Sequence, residues 1–232
     1  MLTALSIDMP MRPWRLSGTV YGTLLNHAPA LAALGDAANA APYKAAPKAP
    51  VLFVKPRNTL LATGQPVHAP DGEGVWQIGV SLGIVIGRTA CRVAESAANS
   101  VIAGYTMVVD FSVPHESFYR PSVRVKARDG SCAIGPHVAS PAELPAPDNL
   151  AITVTVDGAI TQQASTANMI RPVTRLLADV TDFMTLAPGD VLMLGVPHGA
   201  PLARAGQRVR AEIAGIGAYE AVIASASTQE AA

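Results

Sequence analysis

The chain has 232 residues, half of them apolar, and its 17 Lys and Arg balance 17 Asp and Glu. That length fits one large domain or two small ones with a sizeable core, and the zero net charge removes the electrostatic case for nucleic acid or an anionic membrane as partner. No stretch approaches the roughly 20 apolar residues needed to cross a bilayer. The opening segment Met1–Pro13, interrupted by Asp8 and Pro10, does not read as a secretory signal. Two cysteines, Cys91 and Cys132, without metal-type spacing, point to a reducing, cytoplasmic setting rather than a disulfide framework.

Taken in chain order, the first polar island is Leu25-Asn26-His27, after an expected strand. The Ala- and Pro-rich run Ala37–Pro50 cannot form a long helix. It comes too early for an interdomain linker and reads as a loop that crosses or lids a site. Short runs rich in Val, Ile and Leu predict strands at Val51–Val54, Ile78–Ile86, Gly104–Val109, Ala151–Val156, Val191–Leu194 and Val209–Ile213. Asp157-Gly158 predicts a tight hairpin, because the pair supplies the positive φ angles of a primed turn. Pro188-Gly189-Asp190 and Ala205-Gly206-Gln207 read as turns opening strands. Val173, Leu176, Leu177, Val180 and Met184 recur at helical spacing, with Arg175, Asp179 and Asp182 on the other face. No repeat of about 20 to 50 residues is visible, and the tail Ser225–Ala232 is expected to fray. The class is β-rich α+β, a mixed β-sandwich or roll with few helices.

Four islands mix charge, glycine and turn residues: Leu25–His27, Lys55–Thr59, Gly104–Gly135 and Gly195–Gly199. Each has an ordinary structural alternative: His27 as a satisfied polar residue, Lys55-Pro56 as a strand end, Asp129-Gly130 as a turn. Together they place cations and carboxylates just past strand ends, which is how β folds build sites for small anions. The residues alone therefore support a binder or enzyme of a small carboxylated molecule.

Four segments carry a resemblance. Lys126-Ala-Arg-Asp129-Gly130 running on to Gly135-Pro136 resembles the Lys-x-x-Asp…Gly-Pro segment of the fumarylacetoacetate hydrolase superfamily. Gly104-Tyr105-Thr106 followed by Asp110-Phe111-Ser112 resembles its "AGYT…ND-x-S" strand, Pro188-Gly189-Asp190 through Pro197 its "PGD…TGTP" segment, and Lys55–Thr59 its "K-P-x-x" segment. The likeness covers roughly residues 18 to 224. Expected divisions are an N-terminal extension, 1–17, the domain, 18–224, and a flexible tail, 225–232. Pro42–Lys48, Phe53–Thr59 and Glu116–Pro121 are similar to the amino-terminal half of the family's isomerase/decarboxylases of 4-hydroxyphenylacetate degradation, commonly a fused tandem. A partner resembling the other half, or a homodimer, is implied.

The resemblance also implies a Mg²⁺ or Mn²⁺ site made by two Glu spaced by one residue on a strand and one Asp on the next. Residues i and i+2 share a face, so both can reach one ion. Here the Glu positions fall on Gly79 and Ser81, and only Asp110 remains, so metal binding is expected to be weak or absent. Val196 replaces the threonine of "TGTP", and the family's lid motif is reduced to Asn26-His27. By the resemblance, Lys126 and His27 are candidate catalytic residues, Tyr119, Arg120 and Asp129 candidate contacts to a di- or tricarboxylate substrate, and Asp110 a remnant metal ligand. The readings are a subunit of a decarboxylase/isomerase, a metal-free domain that only scaffolds a catalytic partner, and a fumarylacetoacetate- or acylpyruvate-type hydrolase.

Overall fold

The structure, a computed structural model, describes residues 7–8, 15–16, 18–61, 65–72, 74–119, 123–135 and 137–226. Among the described residues, fifteen strands run in chain order. They are β1 (Ile7–Asp8), β2 (Arg15–Leu16), β3 (Val20–Leu24), β4 (Val51–Lys55), β5 (Leu60–Leu61), β6 (Val67–His68), β7 (Val75–Ile86) and β8 (Ile102–Ser112). They continue with β9 (Cys132–Ile134), β10 (Ala151–Val156), β11 (Ala159–Ser165), β12 (Val191–Met193), β13 (Leu202–Arg204), β14 (Arg208–Ile213) and β15 (Gly217–Ala224). The α-helices are short: α1 (Ala28–Ala32), α2 (Val123–Lys126) and α3 (Val173–Thr181).

The larger sheet has the order β4-β3-β12-β7-β8-β9-β5, with β13 added alongside β7. Its outermost members β4 and β5 are consecutive in the chain, joined only through Pro56 and the 3-10 turn Arg57–Thr59. A connection that short requires the sheet to curl until its edges approach, giving a mixed roll. The second sheet has the order β11-β10-β14-β15-β6.

Alternation along the two long strands sets the inside and outside of this roll. Ile78, Val80, Leu82, Ile84 and Ile86 of β7 join Tyr105, Met107, Val109 and Phe111 of β8 in the main core, which they share with Ile152 and Val154 of the second sheet and with Leu176 and Leu177 of α3. The opposite face carries small or polar residues apart from Val108, paired as Gln77 with Ser112, Gly79 with Asp110, Ser81 with Val108 and Gly83 with Thr106. Glycine there is a matter of space: a Cβ on Gly83 would lie 2.8 Å from Val108 Cγ2. A strand pair apolar on one face and small on the other leaves room for a site inside the curl.

Every predicted strand is present, most of them a residue or more longer than its apolar run. Asp157 and Gly158 adopt φ of 51° and 82° between β10 and β11, as a primed turn requires. α3 buries Val173, Leu176, Leu177 and Val180, while Arg175 pairs with Asp179 at 2.9 Å one turn on. The Ala37–Pro50 run is a loop held against the site-side surface: Tyr43 Oη accepts the Phe118 N–H at 2.8 Å and its ring meets Tyr119 edge-on.

Candidate functional site

The site begins with Asp110, fully buried on the inner face of β8. Its Oδ1 lies 2.6 Å from Lys55 Nζ and its Oδ2 lies 2.8 Å from Lys126 Nζ. Lys55 is itself buried, at the end of β4, where Pro56 stops the strand. Its ammonium donates to Ser131 O at 2.9 Å, to Ser131 Oγ at 3.1 Å and to Phe111 O at 3.3 Å. Lys126, in the last turn of α2, donates to Ser112 Oγ at 2.8 Å, and Ser112 Oγ donates to Asp110 Oδ2 at 3.0 Å. Burial on its own would raise the Asp110 carboxyl, but the charges and hydrogen bonds of Lys126 and Lys55 outweigh it and hold the pKa at about 2. The carboxylate is therefore permanently charged at neutral pH.

This cluster floors a cavity of about 340 Å³ between the roll and the segments that cover it. Gln77, Gly79, His115, Glu116, Val196 and His198 are among its walls. His115 Nδ1 lies 2.9 Å from Val113 O. A carbonyl can only accept, so Nδ1 carries the hydrogen and Nε2 keeps its lone pair. Burial, then the Val113 hydrogen bond working against it and the Lys126 charge working with it, set a His115 pKa below the ordinary imidazole value. The ring is neutral at pH 7 and able to take a proton.

The 194–198 segment is fixed by three buried polar residues. Asn26 Nδ2 donates to Leu194 O at 2.8 Å and to Arg171 O at 3.0 Å, while its Oδ1 accepts the Arg171 N–H at 2.9 Å. Ser81 Oγ accepts the Gly195 N–H at 3.0 Å and donates to Leu82 O. His27 Nδ1 accepts the His198 N–H at 3.2 Å, and burial, followed by the nearby His198, lowers its pKa.

Of the residues singled out in the sequence, Lys126, Asp110 and Gly79 meet at the cavity. Ser81 is fully buried beneath Gly195. His27 is buried, is not among the described lining residues, and its Nε2 has no hydrogen-bond partner among the described residues. Tyr119 packs on Tyr43, and Asp129 accepts from Asn58 Nδ2 at 2.6 Å in an exposed turn; neither lines the cavity. Arg120 lies outside the described residues. Sequence reasoning placed Lys55, Ser112, His115 and Glu116 within polar islands or motifs without giving them a role, did not foresee Lys55 as the second partner of Asp110, and did not name Gln77. Parity was the available signal for two of them: Gln77 precedes Gly79 by two positions and Ser112 follows Asp110 by two, so both share the site face.

The donor set does not suit a divalent cation. A hard cation asks for several oxygen ligands, but both Asp110 oxygens face ammonium groups and Gly79 has no side chain. A Cβ at Gly79 would sit 2.9 Å from Val196 Cγ2, and the Ser81 hydroxyl is spent on backbone. Among the described residues no three His, Cys, Asp or Glu side chains converge.

The family described as fumarylacetoacetate (FAA) hydrolase C-terminal matches residues 19–224. The 4-hydroxyphenylacetate degradation bifunctional isomerase/decarboxylase of Escherichia coli is 41% identical over 195 residues, covering 84% of this chain and 44% of that protein. The chain thus spans less than half the length of that relative. Among solved structures, the fumarylpyruvate hydrolase of Pseudomonas aeruginosa in complex with Mn²⁺ and pyruvate superposes with a TM-score of 0.80 at 23% identity, covering 97% of each chain, a likeness of fold. The 2-hydroxyhepta-2,4-diene-1,7-dioate isomerase of Mycobacterium marinum gives a TM-score of 0.73 at 27% identity, over 90% of this chain and 75% of that one.

Proposed function

Because the chain belongs to the fumarylacetoacetate hydrolase family, we propose that it corresponds to one half of an isomerase/decarboxylase acting on the di- and tricarboxylates of 4-hydroxyphenylacetate catabolism. In this reading the working enzyme pairs it with a related metal-binding half or with a second copy of itself. The observation that carries the proposal is the 41% identity that runs through 84% of this chain yet covers 44% of the bifunctional relative. Such a pairing is expected of related domains, whose pseudo-twofold contact is self-complementary.

The isomerisation moves a proton along the conjugated chain of a hydroxy-dienoate diacid, and negative charge builds on oxygen as it does so. His115 is the group for the proton: neutral, half-buried on the cavity wall, with Nε2 unspent by the Val113 contact. Glu116, next in the chain and also on the wall, is placed to exchange protons with solvent, while the proton His115 takes from the enol oxygen is matched by one returned to carbon, so the diacid keeps its formula. Lys126 sits on the floor as a fixed positive charge, and a charge already in place costs no reorganisation when an enolate forms. No step runs through a metal, since the residues present do not form a cage.

The reading is tested by following the dienol absorbance of 2-hydroxyhepta-2,4-diene-1,7-dioate with the chain alone and with the relative's other half added. His115→Gln is expected to lower kcat by about 10²- to 10⁴-fold with the fold intact. An unchanged kcat removes His115 from the chemistry. A second reading, a scaffold that only shapes its partner, is favoured by the replacement of two carboxylates by Gly79 and Ser81. It predicts no turnover by the chain alone and no effect of His115→Gln on the assembled enzyme.

A further inference from the structure

We infer that the buried Lys55–Asp110–Lys126 cluster stands where a divalent cation would otherwise serve, and that it binds a substrate carboxylate without any metal. The inference rests on reading the cavity as the substrate site. Charge counting comes first. Two ammonium groups face one carboxylate, at 2.6 and 2.8 Å, so the cluster carries a surplus of one positive charge beside the cavity. Glu116 is the other carboxylate on the described lining, and it is solvent-exposed at the rim. A buried surplus charge is costly unless an anion compensates it.

Hydrogen-bond counting shows which lysine does the binding. An ammonium has three donors. Lys55 faces Asp110, Ser131 and Phe111 O and has nothing left for a ligand. Lys126 spends two donors, on Asp110 Oδ2 and Ser112 Oγ, both at 2.8 Å. Its third is uncommitted among the described hydrogen bonds, and Lys126 lines the cavity. The Phe53 ring, 4.6 Å from Nζ at its centroid, holds the ammonium in place from one side. Lys55 acts as a positioning residue: by neutralising Asp110 it leaves the charge of Lys126 available to a ligand.

Malonate, titrated calorimetrically in excess EDTA, is the direct probe. One-to-one binding that is unchanged when EDTA is replaced by Mg²⁺ is expected. Lys126→Met is expected to weaken it by about 30-fold or more, the usual effect of removing one partner of a hydrogen-bonded charge pair. Gln77→Glu, which adds a negative charge to the cavity wall across from Ser112 while leaving the three charged groups in place, is expected to weaken it about tenfold or more and keeps the test valid if the Lys126 variant does not fold. Binding that requires Mg²⁺ or Mn²⁺ overturns the inference, as does no binding, or malonate affinity indifferent to both substitutions. Turnover of the dienoate without metal-free malonate binding removes this inference and leaves the proposed function. Malonate binding without turnover, alone or with the partner half, removes the function and leaves the anion site.

Discussion

Asp110 is the residue on which the site depends. It is the anion between two buried ammonium groups, so Asp110→Asn leaves both uncompensated and is expected to cost about 3 to 5 kcal/mol in a urea titration. Lys55→Met leaves the Asp110–Lys126 pair balanced and should cost less; the reverse order would contradict the charge account. The carboxyl's pKa, about 2 when folded, lies below its value of 3.8 when unperturbed. A depressed folded pKa contributes stability that is present above the unfolded value and is lost as pH falls through that interval. The stability gap between the wild-type chain and Asp110→Asn should therefore narrow by about 2 kcal/mol between about pH 5 and pH 2. A constant gap would mean that the carboxylate is not held by the lysines. The sequence made Lys126 and Asp110 legible because each sits in a quotable motif. Lys55 also sits in a quotable motif, but its pairing was not legible, since nothing local announces that a cation at the end of β4 reaches across the roll to β8. His27 sits in a motif position too, and its Nδ1 accepts the His198 N–H.

At the level of elements, β7, β8 and β12 were legible as apolar runs because they are buried on both faces, β10 and β14 because their apolar residues alternate, and the Asp157-Gly158 hairpin because its backbone demands those residues. β15, which carries Glu220 and alternates only loosely between buried and exposed positions, was not read as a strand, since it lies on the solvated side of the second sheet where a core pattern is weak. Gly158 has φ of 82° and nothing within 4 Å of a Cβ placed on it. Gly158→Ala is thus expected to cost about 1 kcal/mol through conformation alone, with cavity binding unchanged; a much larger loss would show that the turn makes contacts of its own. The inner face of β7 and β8 is the more consequential pattern. Its small residues were legible as departures from a carboxylate motif, while their use as walls of a cavity appears only when the sheet rolls and Val196 closes over Gly79. Filling Gly79 with Ala should cost about 1 to 3 kcal/mol by overpacking against Val196 and lower malonate affinity.

For the whole molecule, the outermost strands of the larger sheet, β4 and β5, are joined through Pro56 and one 3-10 turn, so the sheet curls until its edges approach. Among the described residues no helix is long and apolar enough to cross a membrane. The chain spans less than half of the bifunctional relative it matches, and the proposed enzyme is accordingly an assembly of two related halves with unequal sites: one built for a cation, this one built around two lysines and an aspartate. The most direct test of that asymmetry is a titration of Mn²⁺ into the purified chain, followed by the loss of the free-ion electron paramagnetic resonance signal, with and without malonate. The account predicts that the free-ion signal stays at full intensity in both cases, because Asp110 is already neutralised by protein charges. Stoichiometric uptake of one Mn²⁺ per chain would contradict it, and would mean that Asp110 leaves its lysines to recruit oxygen ligands that this arrangement does not bring together.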